Sequence, residues 1–339
     1  MPLNSKKLGD QLQFLGPREL PTLDGEPPWS RELVQHVTTW NRQYVEERLA
    51  ALPGRELCAK FKSVRSVLDM FDRAASRILV GIENFHYEVH SRNLYWRSRE
   101  SDRKHLEALL QEQLYMFTSC AMTLVDHTRD LERVVAFAGY ETKKDQHFAN
   151  NPEHRFIQEL RVDVVHISFH KPGWKLVGGG EDLKETKFFL WKSQLLRSPK
   201  YHPLAKNYLD GCGDGINVGN LVTTYRRNVA SFHLWLNQAT PENILRQIVE
   251  FEEMSKAYRS ISSRIWWNVI LAQVIIAGKR DPYAYLQQYL TKRELDEISA
   301  LPHRSKTQID RIIECVDDTG ACDDALRRLV YQAFDVSGR

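Results

Sequence analysis

The sequence is poor in the features that mark several large protein classes. It has only five cysteines in 339 residues, and no two of them form a CxxC pair. Zinc ribbons and disulfide-stapled domains need closely spaced cysteine sets, so neither a bound metal nor a disulfide framework is predicted. A reducing compartment is the simpler setting for such a chain, and we therefore expect a cytoplasmic protein.

Long apolar runs are also missing. The most apolar stretch, IWWNVILAQVIIAG at residues 265–278, is 14 residues long and includes two amide side chains. A membrane-spanning helix needs about 20 apolar residues, so this stretch predicts a buried core helix and no membrane partner. The N-terminal MPLNSKKLGDQLQFLGPRELP has no continuous apolar segment, so a secretory signal is not predicted.

Motifs of several common enzyme classes are not found. There is no G-x-S-x-G, no HExxH and no G-x-G-x-x-G. Elbow-type hydrolases, zincin proteases and dinucleotide-binding enzymes are therefore not indicated, and no cofactor is predicted. His86 and His90 stand one helical turn apart, but no third ligand is identifiable nearby, so we interpret them as helix-surface histidines.

What the sequence does contain is the composition of an ordinary globular protein, with 42% hydrophobic and 27% charged residues. The net charge of +3 is small, so any electrostatic binding surface must be local. Residues 1–30 contain five prolines and little periodicity. This segment is predicted to be a loosely attached N-terminal arm.

Apolar residues recur at helical spacing through most of the remaining chain. Two long patterns, from Phe61 to Val89 and from Leu106 to Val135, are separated by a short polar segment and predict an antiparallel helix pair. Strand-like residues near 167–192, divided by three glycines, predict a small β-hairpin. Because further helical patterns continue to Phe334, the predicted fold class is mainly α.

One helical stretch carries the candidate site. In NNPEHRFIQELRVDVVHIS, Asn151 and Pro152 are good helix-starting residues, and Arg161 and His166 follow near the end. On an ideal helix these two residues lie about 140° apart. Both can reach one phosphate only if the helix is irregular, the arginine bends round, or two subunits share the site. The plainer interpretation is a pair of cations that satisfies the last helical carbonyls.

The Arg-x4-His pattern, with TLVDHTRDLE before it and LAKNYLDG and LVTTYRRNVASFHLWL after it, resembles the HEPN superfamily over roughly residues 60–240. The resemblance implies an antiparallel helical bundle, here residues 31–258 with the β-hairpin inserted, followed by a C-terminal helical extension at 259–339. It also implies a homodimeric, metal-independent endoribonuclease whose subunits share one cleft. The setting implied is bacterial antiviral defence or a toxin–antitoxin pair, with RNA and an antitoxin or other protein as partners.

The same resemblance assigns the roles of the site residues. His166 would act as general acid or base on the RNA, and Arg161 would stabilise charge on the phosphorane oxygens. Val162 stands directly after the arginine, where the family usually has a polar residue.

A second basic segment lies between the two long helical patterns. HSRNLYWRSRESDRKH contains Arg92, Arg97 and Arg99 beside two aromatic residues, so it either contacts RNA or forms a solvated turn between two helices. The alternative function for the whole chain is that of a non-catalytic helical binding or regulatory protein that retains the bundle.

Overall fold

The computed structural model describes residues 23, 26–40, 45–92, 97–166, 173–177, 185–196 and 201–336. Most of these residues are helical, and three short strands form an antiparallel sheet. This confirms the mainly α fold class that the spacing of the apolar residues predicts. No helix in these ranges is both long and apolar enough to cross a membrane.

The elements follow the chain in a simple order. The α-helices are α1 (Arg31–Trp40), α2 (Glu46–Ala51), α3 (Pro53–Arg92), α4 (Glu100–Val135), α5 (Tyr140–Lys144), α6 (Pro152–His166), α7 (Lys192–Leu195), α8 (Pro203–Gly211), α9 (Val218–Gln238), α10 (Glu242–Asn268), α11 (Lys292–Ser299), α12 (Lys306–Val316) and α13 (Asp324–Ala333). The strands are β1 (Gly173–Val177), β2 (Glu185–Trp191) and β3 (Gly215–Asn217). Within the described ranges, the other helical elements are two π-helical segments, Asp145–Ala149 and Val269–Ile276, and two 3-10 segments, Arg97–Arg99 and Pro282–Gln288.

The chain divides into two compact units. One is Glu56–Leu245, and the other combines Met1–Arg55 with Arg246–Arg339. This division differs from the sequence-based boundaries, which run the bundle from 31 to 258 and set 259–339 apart. Contacts far apart in the sequence account for the difference: the Tyr258 hydroxyl, for example, donates a hydrogen bond to Glu46 Oε1 at 2.5 Å. Such contacts leave no trace in local periodicity.

The unit Glu56–Leu245 is built on the predicted antiparallel helix pair. The contacts between α3 and α4 run in opposite directions along the two helices: Ser63 bonds to His127, the ring of Phe71 stacks on Phe117 at 5.0 Å, and Gly81 faces Leu110. A Cβ at Gly81 would lie 2.7 Å from the Leu110 Cδ2 atom, so the missing side chain permits the close approach of the two helices. The bundle axis is therefore set by these two long helices.

Helix α9 completes the core of this unit. Its Tyr225 is 1% exposed and meets both Phe71 and Phe117 edge-on, with ring centroids 6.0 Å apart in each case. Edge-to-face contacts of this kind stabilise an aromatic pair by about 1 kcal/mol beyond the area that they bury. Arg226, the next residue of α9, forms a two-pronged ion pair with Asp72 at 2.6 and 2.7 Å.

The predicted β-hairpin is present and gains a third strand. Strands β1 and β2 pair antiparallel with Gly173 opposite Phe189, while the predicted triple-glycine turn lies outside the described residues. Strand β3 adds to the other edge of β2, with Gly215 opposite Trp191. The sequence does not predict β3, because a strand of three residues is too short to show an alternating pattern.

The unit formed by Met1–Arg55 and Arg246–Arg339 has its own hydrophobic core. Trp29 is 6% exposed, and its backbone N–H donates to the Oδ1 atom of the buried Asn268 at 2.9 Å. The guanidinium of Arg264 lies 5.3 Å from the centroid of the Trp29 ring. The described end of the predicted N-terminal arm is therefore packed into this core.

Candidate functional site

Helix α6, which carries the Arg-x4-His motif, starts as its sequence predicts. The Oδ1 atom of Asn151 accepts hydrogen bonds from the backbone N–H groups of Glu153 at 2.9 Å and His154 at 3.3 Å. Pro152 occupies the first helical position, where no N–H is required. This cap fixes the first turn of α6 and with it the positions of Glu153 and His154.

The motif residues lie in the last two turns of the same helix. α6 is a regular α-helix through His166, so the positions of Arg161 and His166 lie about 140° apart around its axis. Arg161 is exposed and Val162 beside it is 44% exposed. The side chain of His166 lies outside the described part of the structure. One chain with a regular α6 does not place the two residues on a common face.

The basic segment between α3 and α4 is only partly free to bind an anion. Arg97 is exposed, whereas Arg99 donates to Asp102 at 2.9 Å and lies 3.7 Å from Glu88. Arg92 ends α3, and its side chain lies outside the described residues, as do the two predicted stacking aromatics, Tyr95 and Trp96. A surface groove of about 680 Å³ beside this segment contains Glu88 and Asp102 as well as Arg99. The paired carboxylates favour the interpretation as a solvated turn.

A chain of hydrogen-bonded polar side chains begins in the first turns of α6 and runs from the half-buried Arg155 to the buried Tyr225. The Nη1 atom of Arg155 donates to Gln158 Oε1 at 2.8 Å, and Gln158 Nε2 lies 3.1 Å from His154 Nε2. His154 Nδ1 in turn lies 2.8 Å from the hydroxyl oxygen of Tyr225 in α9. Because Gln158 accepts from an arginine with its oxygen, its nitrogen must be the donor to His154.

This order of donors fixes the tautomer of His154. If Nε2 accepts from Gln158, the imidazole proton is on Nδ1 and is donated to the Tyr225 oxygen. The Tyr225 hydroxyl hydrogen is then left over. Among the described residues, no acceptor for it is found, although Tyr225 is 1% exposed.

The charge states of the buried groups agree with this arrangement. Burial, and to a lesser degree the charges of Arg129 and Arg155, lower the pKa of His154 to about 4. Burial alone lowers the pKa of His233 to about 4 and raises the pKa of Glu153 to about 7. Both imidazoles are therefore neutral at pH 7, as the tautomer argument requires of His154.

A cavity of about 200 Å³ lies beside this polar chain, between helices α4, α6 and α9 and the π-helical segment Asp145–Ala149. Its walls include the rings of Tyr140, Phe148 and Phe232. Arg129, Lys144 and Arg155 also line it, and no carboxylate is among the described residues that do so. π-helical turns are frequent at functional sites because they displace side chains from regular helical positions.

The described parts of the chain offer no cluster of metal ligands. Within them, no group of three or more histidine, cysteine, aspartate or glutamate side chains could hold a metal ion. The side chain of His90, one of the two histidines spaced by a helical turn, lies outside those parts.

His154, Tyr225 and His233 are buried residues of this cavity that sequence reasoning did not identify. The segment NNPEHRFIQEL indicates a helix start, and the histidine and glutamine four residues apart in it are a weak sign of a shared helix face. The link from His154 to Tyr225 spans 71 residues and depends on the packing of α6 against α9. No local pattern reports such a contact.

Comparisons with known proteins add no relative. No protein-family model, no curated protein and no solved structure matches this chain.

Proposed function

We propose that the protein is a metal-independent endoribonuclease of the HEPN type that acts as a homodimer in the cytoplasm, with Arg161 and His166 as its catalytic residues. The observation that carries the proposal is the position of both residues in the last two turns of α6, with Arg161 exposed to solvent. An arginine in that position can meet an RNA phosphate without unfolding the bundle.

The two side chains suit the chemistry of RNA cleavage. An imidazole titrates near neutral pH, so His166 can take a proton from the ribose 2′-hydroxyl or give one to the leaving oxygen. Arg161 keeps its positive charge at every physiological pH and can stabilise the charge that develops on the phosphorane oxygens. Attack of the 2′-oxygen on the adjacent phosphorus yields a 2′,3′-cyclic phosphate and a free 5′-hydroxyl.

Because α6 is regular and its two motif positions lie about 140° apart, a site shared by two copies of the chain suits them better than a site within one copy. In a homodimer, the arginine of one copy can face the histidine of the other across a shared cleft. Val162, which is 44% exposed beside Arg161, supplies apolar surface at the same end of the helix and suits such an interface. An RNase of this type fits a defence or toxin–antitoxin role, with an antitoxin protein as a further partner.

Cleavage of a mixed RNA pool in EDTA tests the proposal. We expect the wild type to cut and to leave cyclic phosphate ends, and we expect Arg161→Ala and His166→Ala to lose at least about a hundredfold in rate. Arg133→Ala is the matched control, because Arg133 is an exposed arginine of α4 with only a surface ion pair to Asp130. Equal cleavage by all four folded proteins would overturn the assignment, and so would activity that vanishes in EDTA.

A second function, that of a non-catalytic binding or regulatory protein, is favoured by one observation. The cavity beside His154 combines an aromatic wall with a buried hydroxyl hydrogen that has no described acceptor, and neither feature is used by the ribonuclease site. If wild type and motif variants are equally inactive on RNA while the cavity binds a ligand, this second function is the better account.

A further inference from the structure

The cavity beside the first turns of α6 has the chemistry of a small-ligand site. The Tyr225 hydroxyl accepts from His154 and has its own hydrogen to donate. A buried donor without an acceptor costs about 1–3 kcal/mol, so a group in the cavity that accepts this hydrogen would be favoured. The first requirement on the occupant is therefore an acceptor oxygen or nitrogen.

His233 is a second polar side chain at this cavity. His233 lines the cavity, is 6% exposed, and forms no hydrogen bond with any described residue. Its ring nitrogens can accept or donate a hydrogen bond to a group in the cavity. Two polar side chains of α9, each more than nine-tenths buried, therefore line the same cavity.

The aromatic walls of the cavity and the cations that line it indicate which class of ligand it suits. The rings of Phe148 and Phe232 meet edge-on at 5.1 Å, and Tyr140 meets Phe232 at 6.0 Å, which leaves an aromatic surface suited to a flat apolar ring. Arg129 and Lys144 line the same cavity. An occupant with one negative charge would complement them.

We propose that this cavity binds a small aromatic carboxylate, with the carboxylate accepting the Tyr225 hydroxyl hydrogen near Arg129 and Lys144 and the ring packed against Phe148 and Phe232. The volume of about 200 Å³ lies below the ~300–1,000 Å³ of pockets for drug-sized ligands, so a ligand with a single ring system is the right size. Arg129 and Ala149 are exposed, so the cavity has an entrance from solvent on that side.

The carboxylates that pair with these cations lie outside the cavity. Asp126 lies 3.7 Å from Arg129, and Glu141 pairs with Lys144, in both cases three residues apart on one helix and with the carboxylate exposed to solvent. Exposed pairs of this kind contribute at most about 1 kcal/mol. A partly buried carboxylate in the cavity can replace them at small cost.

Binding is tested on the full-length protein with sodium benzoate as the probe, by saturation-transfer NMR and calorimetric titration. Benzamide has the same shape without the charge, and benzylamine reverses the charge. We expect benzoate to bind at least about tenfold more tightly than benzamide, because the charged acceptor forms the stronger hydrogen bonds, and we expect no binding of benzylamine.

Two variants link the binding to the cavity. Tyr225→Phe keeps the ring and removes the donor, and Arg129→Gln changes an exposed residue; each should weaken benzoate binding about tenfold or more. Arg133→Gln, on the same helix as Arg129 but outside the cavity, should bind as the wild type does. The thermal melting of each variant shows whether it is folded.

Several outcomes would overturn the proposal: no benzoate binding at millimolar concentration, equal binding of benzamide, or full benzoate affinity in both folded cavity variants. None of these measurements involves RNA, so the ribonuclease proposal and the ligand site stand or fall separately.

Discussion

Lowering the pH from 7 to 5 should reduce the free energy of unfolding of the unit Glu56–Leu245. Two buried histidines lower it, and one buried carboxyl partly offsets them. His154 and His233 have a pKa of about 4 when folded, against 6.5 for an exposed histidine. Their protonation therefore accompanies unfolding, so the stability that they contribute is complete above about pH 6.5 and is lost as the pH falls toward 4. For a fall from pH 7 to pH 5, each histidine removes about 2 kcal/mol.

Glu153 acts in the opposite direction. Its folded-state pKa is about 7 against 4.5, so the folded protein holds a proton that the unfolded chain releases. Over the same fall in pH this carboxyl adds about 2 kcal/mol of stability. The two histidines together outweigh it, and the net loss should be about 2 kcal/mol.

Urea unfolding at pH 7 and pH 5, at one ionic strength and followed by circular dichroism, measures the net effect. Glu153→Gln removes the opposing contribution, so the free energy of unfolding of this variant should fall by about 4 kcal/mol between pH 7 and pH 5. His233→Leu removes one histidine, so its stability should change little between the two pH values. The two variants shift the pH dependence in opposite directions and serve as controls for each other. If both retain the wild-type pH dependence, these buried side chains do not titrate with the shifted pKa values on which the prediction depends.

Packing and hydrogen bonding support three further predictions. Phe71→Ala should lower the free energy of unfolding by about 3–5 kcal/mol in a urea titration, because Phe71 is 1% exposed at the centre of the aromatic cluster. Gly54→Ala should destabilise by at least about 1 kcal/mol, although alanine is the better helix former, because its Cβ would lie 2.0 Å from the Gln247 carbonyl oxygen. Long-range ¹H–¹⁵N NMR should find the neutral His154 ring protonated on Nδ1, and a proton on Nε2 would contradict the donor order through Tyr225.

The parts of the fold that sequence could predict are those with a local cause. The apolar spacing predicts the long helices α3 and α4 because one face of each is buried along most of its length. The start of α6 is predicted by Asn151 and Pro152, since a cap acts within three residues. The hairpin of β1 and β2 is predicted by two strand-like runs that three glycines separate in the sequence.

The parts that sequence could not predict depend on contacts between distant segments. The grouping of Met1–Arg55 with Arg246–Arg339 depends on pairs such as Trp29 and Asn268, which are 239 residues apart. The cavity exists only where α4, α6 and α9 meet. That the Tyr225 hydroxyl hydrogen has no described acceptor can be inferred only once the hydrogen-bond partners of His154 are known. Helical spacing shows which residues are buried and does not show what they face.

The shared site of the proposed ribonuclease is tested most directly by mixing subunits. Arg161→Ala and His166→Ala should each be inactive alone, but a mixed dimer keeps one intact arginine on one copy and one intact histidine on the other. We therefore predict that unfolding and refolding the two variants together restores metal-free RNA cleavage, with cyclic phosphate ends. Cleavage that stays absent from mixed dimers of an otherwise active protein would contradict a site built from two copies.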